Sequence, residues 1–355
     1  MNRCVIVRVG FLLPLLAMSL LAQPYTAQKT TVDGVPIVRL IDSERDVTVS
    51  IAPTVGNNAY EMLAGGKNVF WFPYQSVADF AREPKLCGNP FLAPWANRLD
   101  EDGFYFEGKH YLLDKHLDNL RRDGNNLPIH GLLLYWPKWE VVELEALEDE
   151  ARVTSRLEFA KHAELLGHFP FAHQIDMTYR LRDGALEVKT RIVNQGSQTM
   201  PISVGFHPYF QIHDAPRDDW TVRLPVEHIW QLTDKLTPTG DTKPVRELFP
   251  TPEKVSLAGT FLDHVFGGLG RAADGTARFR VKGKRQSIEV RYGPNYREAV
   301  VYAPPGEDRR FICFEPMSGI TNAFNLAHRG RYAHLQTVAP GAEWTAKYSI
   351  HPDGF

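Results

Sequence analysis

Short runs of alternating apolar and polar residues, separated by turn residues, dominate the chain. The clearest is 185–193, ALEVKTRIV, in which apolar residues or threonine fill every second position. A two-residue period indicates a β-strand with one face in solvent. Asp183-Gly184, between this run and 174–182, predicts a tight hairpin turn. Similar runs lie at 46–51, 152–159, 220–224, 277–283, 286–292, 297–302 and 344–350.

Helical patterns are few and short. Residues 76–82 and 158–167 are compatible with a short helix or a loop turn, and the long amphipathic helices of a βαβ fold are missing. The proline-rich stretch 236–252 is interpreted as a long surface excursion. The pattern therefore predicts an all-β protein, a large antiparallel β-sandwich that occupies 23–355 as a single domain.

The amino-terminal segment differs from the rest of the chain. Arg3 and Arg8 precede a mainly apolar run from Val9 to Ala22, which is typical of a secretory signal peptide over residues 1–22. The alternative is an uncleaved membrane anchor, although the run is shorter than the roughly 20 residues that a span needs. We therefore expect an exported protein, periplasmic or extracellular, with no membrane contact after cleavage.

Composition narrows the function classes. The formal net charge of -2 gives no general attraction for nucleic acid. Without Cys4 of the leader, two cysteines remain, Cys87 and Cys313. They could pair in an oxidising compartment, but two buried free thiols are the favoured interpretation. The sequence contains neither a CxxC pair nor HExxH, so the usual motifs of a zinc site are missing. A phosphate-binding glycine loop is missing too.

Two segments combine polar residues with turn residues in ways that a plain core strand would not. Asn97-Arg98 follows an apolar stretch, and Arg98 offers a planar fork of hydrogen-bond donors for a ligand. The alternative for Arg98 is a salt bridge to the acidic turn at 100–102. His130-Gly131 stands among aromatic residues, where glycine permits a tight turn or close approach to a ligand; a half-buried structural histidine is the alternative.

Two other segments carry candidate acid–base groups. Pro208 restricts the backbone of His207, which gives a directed imidazole suited to proton transfer near neutral pH. A core histidine is the alternative. Glu315 ends an apolar strand before Pro316, and partial burial there would make its carboxylate a stronger base. The alternative is an ordinary exposed glutamate.

Taken together and in order, these segments resemble the aldose 1-epimerase (galactose mutarotase) family over nearly the whole chain after the leader. The shared motifs are ANRL (96–99), IHG (129–131), FHPYF (206–210), a GTxxD-like stretch at 259–263, FEP (314–316) and the closing LQTVAPG (335–341). The resemblance implies the large β-sandwich called a mutarotase-like supersandwich, a free monosaccharide as substrate and no cofactor. One departure is Leu132, where the galactose branch usually has a second glycine.

The resemblance also implies roles for individual residues. His207 matches the general acid that protonates the ring oxygen, and Glu315 matches the general base on the anomeric hydroxyl. Asn97 and Arg98, in ANRL, and His130 match residues that hold and polarise the sugar. Asp263 matches an aspartate that binds sugar hydroxyls. The reaction opens the hemiacetal ring and closes it on either face, and we expect the acid and the base on opposite sides of the bound ring.

Three other functions are compatible with the same sandwich. A sugar-phosphate epimerase would need a basic pocket beside the site. A non-catalytic carbohydrate-binding protein would need neither His207 nor Glu315. A polysaccharide lyase or glycoside hydrolase would be expected to show paired carboxylates in a long groove, and only Glu315 has a motif to support it.

Overall fold

The computed structural model describes residue 1 and residues 23–117, 119–306 and 308–355. The predicted signal peptide, apart from its first residue, lies outside these ranges. Within them, no helix is both long enough and apolar enough to cross a membrane.

The larger of the two main sheets has nine strands, all paired antiparallel. In spatial order they are β19 (Val255–Ser256), β16 (Thr221–Arg223), β21 (Ala277–Lys282), β22 (Ser287–Tyr292), β26 (Glu343–Asp353), β12 (Ala185–Asn194), β11 (His173–Arg182), β10 (Ala151–Glu158) and β9 (Glu140–Ala146).

The second main sheet has eight strands and positions the site described below. Its order is β18 (Pro238–Pro244), β17 (Val226–Leu232), β20 (Leu262–Leu269), β23 (Glu298–Ala303), β24 (Ile312–Met317), β14 (Gly205–Phe206) and β6 (Phe91–Leu92), and β15 (Tyr209–Phe210) also pairs with β24. These pairings are antiparallel as well.

Smaller elements complete the fold. An antiparallel five-stranded sheet consists of β1 (Tyr25–Val32), β2 (Val35–Asp42), β3 (Val47–Ala52), β4 (Asn58–Ala64) and β5 (Lys67–Asn68). The two-stranded pairs are β7 (Gly103–Phe106) with β8 (Lys109–Leu112), and β13 (Met200–Ile202) with β25 (Gln336–Val338). The α-helices are α1 (Val77–Arg82), α2 (Ala163–Leu166), α3 (Val245–Leu248) and α4 (Ala323–His328), and three 3-10 turns cover Phe159–Lys161, Arg217–Asp219 and Pro252–Lys254.

The main hydrophobic core lies between the large sheets. Phe279 of β21 packs on Phe314 of β24 with ring centroids 5.8 Å apart, and Phe206 packs on Tyr348 of β26 at 5.0 Å. Side chains alternate between the two faces of a strand. Because Phe314 enters the core, the next residue, Glu315, belongs to the other face of the eight-stranded sheet.

The predicted antiparallel β-sandwich is therefore confirmed. Every run with a two-residue period overlaps a strand, and Asp183-Gly184 turns a hairpin in which Arg182 pairs with Ala185. Residues 76–82 contain α1, and 158–167 contain a 3-10 turn followed by α2. Cys87 and Cys313 are buried free thiols, which confirms the favoured interpretation.

The interpretation of 236–252 as a surface excursion is confirmed for its location, since most of the stretch is exposed or half-buried, but the stretch is not an irregular loop. Its first part is β18, which pairs with β17 at the edge of the eight-stranded sheet, and α3 follows directly. Proline cannot donate to a β-ladder, so it is tolerated on an edge strand, and here Pro238 and Pro244 are the two end residues of β18. The proline content therefore concealed a strand. Such a strand is possible here because it lies at the edge of the sheet and not in its centre.

Candidate active site

His207 and Glu315 occupy opposite positions in the same antiparallel ladder. Gly205 and Tyr209 both pair with β24, at the residues two places to either side of Glu315. The register on both sides therefore puts His207, which lies midway between them, across from Glu315. Directly opposed residues point to the same face of a sheet. The Nε2 atom of His207 lies 3.3 Å from Oε1 of Glu315.

This contact corrects one expectation from the sequence. We expected the imidazole and the carboxylate to face each other across a ring. As cross-strand neighbours they stand side by side, too close together to hold a sugar between them.

The pair is buried and incompletely hydrogen-bonded. His207 is 6% exposed and Glu315 is 1% exposed. Nδ1 of His207 and Oε2 of Glu315 have no hydrogen-bond partner among the described residues. A buried polar atom without a partner costs free energy, unless a ligand or water satisfies it. The arrangement is typical of a site that a polar ligand completes.

Burial also sets the proton affinities of the pair. It lowers the pKa of His207 to about 3, and the positive charge of Arg98 acts in the same direction. Burial raises the pKa of Glu315 well above its ordinary value, and the negative charge of Asp263 adds to the rise while Arg98 opposes it. The buried pair therefore disfavours separated charges and holds one proton between its two members.

Asp263 reaches the site from β20. It pairs with Tyr302 of β23, and its charge acts on Glu315. Burial raises the pKa of Asp263 too, although Arg98 opposes the rise. The structure thus brings two carboxyl groups and one guanidinium around the same site.

Arg98 is held by an acid other than the ones considered from the sequence. Its Nε donates to Oδ2 of Asp123 over 2.6 Å, and the two side chains are 16% and 7% exposed. One of its Nη atoms donates to Oδ1 of Asn97 over 3.1 Å. The acidic turn has other partners, since Asp100 binds Arg329. The salt bridge is real, and it orients Arg98 beside the acid–base pair.

The backbone around His130 and Asn97 is locked in an unusual conformation. His130 and Gly131 have successive φ values of 65°, and Asn97 has φ 56°. The backbone N–H of His130 donates to the carbonyl of Asn97 over 2.8 Å. A Cβ on Gly131 would lie 2.2 Å from the carbonyl oxygen of Ala93, so only glycine fits. These constraints place the ring of His130 5.3 Å from that of His207, edge to face.

The structure brings to the site three residues that sequence reasoning missed. Asp123 lies in a turn with no motif. Tyr209 stacks on His207 with parallel rings 4.7 Å apart, and the ring of Tyr302 stands 6.4 Å from His207 at 82°. Tyr209 could have been found, because residues two apart on an extended segment share a face. Tyr302 lies in an ordinary strand pattern and gave no such signal.

Chemically, the site combines an imidazole and a carboxyl group with hydrogen-bonding groups around them. An acid and a base 3.3 Å apart can act on two oxygen atoms that are bonded to the same carbon. Arg98, His130 and Asp263 supply further donors and acceptors. Among the described residues, no group of three or more His, Cys, Asp or Glu side chains is arranged to hold a metal ion.

Comparisons with known proteins agree with this architecture. Residues 45–351 match the family model described as aldose 1-epimerase. An uncharacterized protein of Escherichia coli, YihR, is 27% identical over 238 residues, which cover 66% of this chain and 70% of YihR. A second Escherichia coli protein, YphB, is 23% identical over 264 residues, covering 73% of this chain and 81% of YphB.

Solved structures share the fold. A galactose mutarotase-like protein from Clostridium acetobutylicum has a TM-score of 0.83 at 22% identity, with 94% of this chain and 100% of that chain covered. Galactose 1-epimerase from Lactobacillus acidophilus has a TM-score of 0.72 at 14% identity, with 94% and 99% covered. At these identities the likeness shows the fold, and the family follows from the family model. The chain belongs to the aldose 1-epimerase family.

Proposed function

We propose that this protein is an aldose 1-epimerase that interconverts the α and β anomers of a free aldohexose. His207 is the acid that acts on the ring oxygen, and Glu315 is the base that acts on the anomeric hydroxyl. The observation that carries the proposal is the buried contact of 3.3 Å between Nε2 and Oε1.

The geometry suits the reaction because one proton moves to the ring oxygen and another leaves the anomeric hydroxyl. The ring oxygen and the anomeric hydroxyl are both bonded to C1 of the sugar. An acid and a base that stand side by side can therefore reach both oxygens from one face of the site. A well-placed acid or base contributes roughly 10²–10⁴-fold to such a reaction.

The proton inventory of the pair supports the same cycle. With one proton shared, the pair exists either as imidazolium and carboxylate or as neutral imidazole and carboxylic acid. Ring opening takes the first form to the second, since His207 gives a proton to the ring oxygen while Glu315 takes one from the hydroxyl. Burial favours the uncharged form of the pair, which is the form that the ring-opening transfers leave behind. Closure on either face of the aldehyde reverses the transfers.

Four residues fit the role of substrate-binding groups. Arg98 is oriented by Asp123 and contacts Asn97. His130 stands edge to face with His207. Asp263 supplies a carboxyl group from β20. Donors and acceptors of this kind match the hydroxyl groups of a sugar, and their positions support binding of a single ring at the catalytic pair.

The test is anomer exchange measured by two-dimensional exchange NMR on glucose and galactose, with the spontaneous rate subtracted. We expect Glu315→Gln and His207→Asn each to lower kcat/KM by about 10²–10⁴-fold. Matched controls are the exposed Glu247→Gln and His116→Asn, which should leave the rate unchanged. Sugar binding by the wild type without accelerated exchange would instead favour the non-catalytic carbohydrate-binding alternative.

A further inference from the structure

A cavity lies on the same face of the eight-stranded sheet as Glu315. Its volume is about 560 Å³, and its lining includes His228, Trp230, Thr242, Arg297, Glu298 and His334. Small-molecule sites have volumes of roughly 300–1,000 Å³, so one or two sugar rings would fit. None of the residues assigned to the catalytic site lines it.

Strand register explains why polar groups converge there. His228 of β17 pairs with Gly267 of β20, and Glu298 of β23 pairs with Met317 of β24. On this face of the sheet, the pair Glu298 and Met317 lies next to the pair Val300 and Glu315. A Cβ on Gly267 would lie 2.3 Å from Nε2 of His228 and 2.7 Å from Oε2 of Glu298. Glycine at this position leaves open the space that these two side chains occupy.

Glu298 is the central polar group of the cavity. It is 4% exposed. Its Oε2 accepts from Nε1 of Trp230 over 3.0 Å, and its Oε1 accepts from the hydroxyl of Tyr332 over 3.3 Å. Burial raises its pKa to about 7, although Trp230, Tyr332 and the charge of Arg297 oppose the rise. Near neutral pH this carboxyl group can therefore both donate and accept hydrogen bonds.

The lining has the chemistry of sugar recognition. Hydroxyl groups need planar polar partners that donate and accept, and a carboxyl group, an imidazole and a guanidinium supply them here. The partly exposed indole of Trp230 adds an amphipathic surface for the apolar face of a ring. We propose that this cavity is a second saccharide-binding site, which takes a neutral pyranose and is separate from the catalytic pair.

Apolar residues line the sheet face around the two carboxyl groups. Val265, Val300 and Met317 lie on the same sheet face and are at most 4% exposed. They belong to one apolar cluster and flank the two carboxyl groups, since Val300 pairs with Glu315 and Met317 pairs with Glu298. Because no residue assigned to the catalytic site lines the cavity, the proposal does not rest on the proposed catalytic function.

The test uses the full chain labelled with 5-fluorotryptophan, whose seven indoles give separate ¹⁹F signals. Trp230→Phe assigns one signal to Trp230. Titration with methyl β-D-glucopyranoside, methyl β-D-galactopyranoside and lactose should shift that signal in a saturable way. The same shift should persist in His207→Asn, because the catalytic pair is not involved.

Glu298→Gln is the diagnostic variant, and exposed Glu247→Gln is its matched control. We expect Glu298→Gln to weaken binding at the Trp230 signal about tenfold, as for the loss of one hydrogen bond to a charged group. Mutarotation of glucose should keep its wild-type rate in that variant. A Trp230 signal that stays unmoved by all three sugars would overturn the proposal. So would a signal that moves only with sodium sulfate, since that identifies an anion site around Arg297.

Discussion

Asp123 holds the guanidinium of Arg98 from a position 25 residues further along the chain, with 2.6 Å between Oδ2 and Nε. Burial alone would raise the pKa of Asp123. The hydrogen bond from Arg98 and those from the backbone N–H groups of Leu127 and Asn125 outweigh that effect, so its pKa is lowered. Asp123 is therefore a charged partner that fixes the position of Arg98, and under the proposed function it would act on the substrate through Arg98.

Asp123→Asn tests this positioning role. The amide keeps the shape of the side chain but removes the charge that fixes Arg98, and a misplaced binding group can cost up to about 10²-fold in kcat/KM. We expect most of the loss to appear in KM, because Arg98 is assigned to sugar binding and the acid–base pair is untouched. Steady-state anomer exchange measures both constants. A fall confined to kcat would contradict the assignment, and Asp241→Asn on the surface serves as the control.

How much of this site the sequence predicted depends on the range of each interaction. The sequence singled out His207 and Glu315 because each stands in a local pattern, a histidine before a proline and a glutamate that ends an apolar run. The partner of Arg98 was not found. The acids nearest in sequence were the reasonable candidates, yet loop geometry turns Asp100 toward Arg329 and brings Asp123 to Arg98.

The fold shows the same division between local and non-local information. The two-residue period of 185–193 predicts a strand because the solvent-facing side must be polar, and this constraint is local. The sequence could not place β18, because whether a segment lies at the edge of a sheet depends on its neighbours in space. Likewise, the contact between His207 and Glu315 follows from a ladder register that no single segment contains.

Asp263→Asn tests the electrostatic coupling of the two carboxyl groups. The negative charge of Asp263 helps to raise the pKa of Glu315. Removing that charge lowers the pKa of Glu315, so the catalytic pair loses its shared proton at a lower pH. We expect the alkaline limb of the pH profile of kcat/KM to move toward lower pH. The profile of Asp234→Asn on the surface should match the wild type, and a limb that stays in place in Asp263→Asn would argue against the coupling.

The stability of Glu315→Gln relative to the wild type should increase as the pH rises, although the substitution removes the proposed base. The pKa of Glu315 is raised by burial in the folded state. Its contribution to stability is therefore complete below the ordinary carboxyl pKa and is lost as the pH rises through the raised value. Glutamine does not titrate and avoids this loss.

The measurement is the difference in melting temperature between Glu315→Gln and the wild type from pH 4 to pH 9. The difference should grow in favour of the variant with increasing pH. Exposed Glu247→Gln should show no such trend. A constant difference across the range would mean that the carboxyl group of Glu315 is not held in its protonated form by the fold.

Gly131→Ala should lower the stability of the protein and disturb the site. Gly330→Ala is the control that separates the effect of a positive φ from the effect of a steric clash. Both glycines have positive φ, 65° and 69°, where a side chain costs roughly 1–2 kcal/mol. Around Gly330 nothing lies within 4 Å of an added Cβ, whereas at Gly131 that atom would meet the carbonyl oxygen of Ala93 at 2.2 Å.

We therefore expect urea unfolding to show a loss of about 1–2 kcal/mol for Gly330→Ala and a clearly larger loss for Gly131→Ala. Only Gly131→Ala should also lower kcat/KM, because the backbone shift displaces His130. Equal losses in the two variants would mean that the conformation alone, without the close approach to Ala93, requires glycine beside His130.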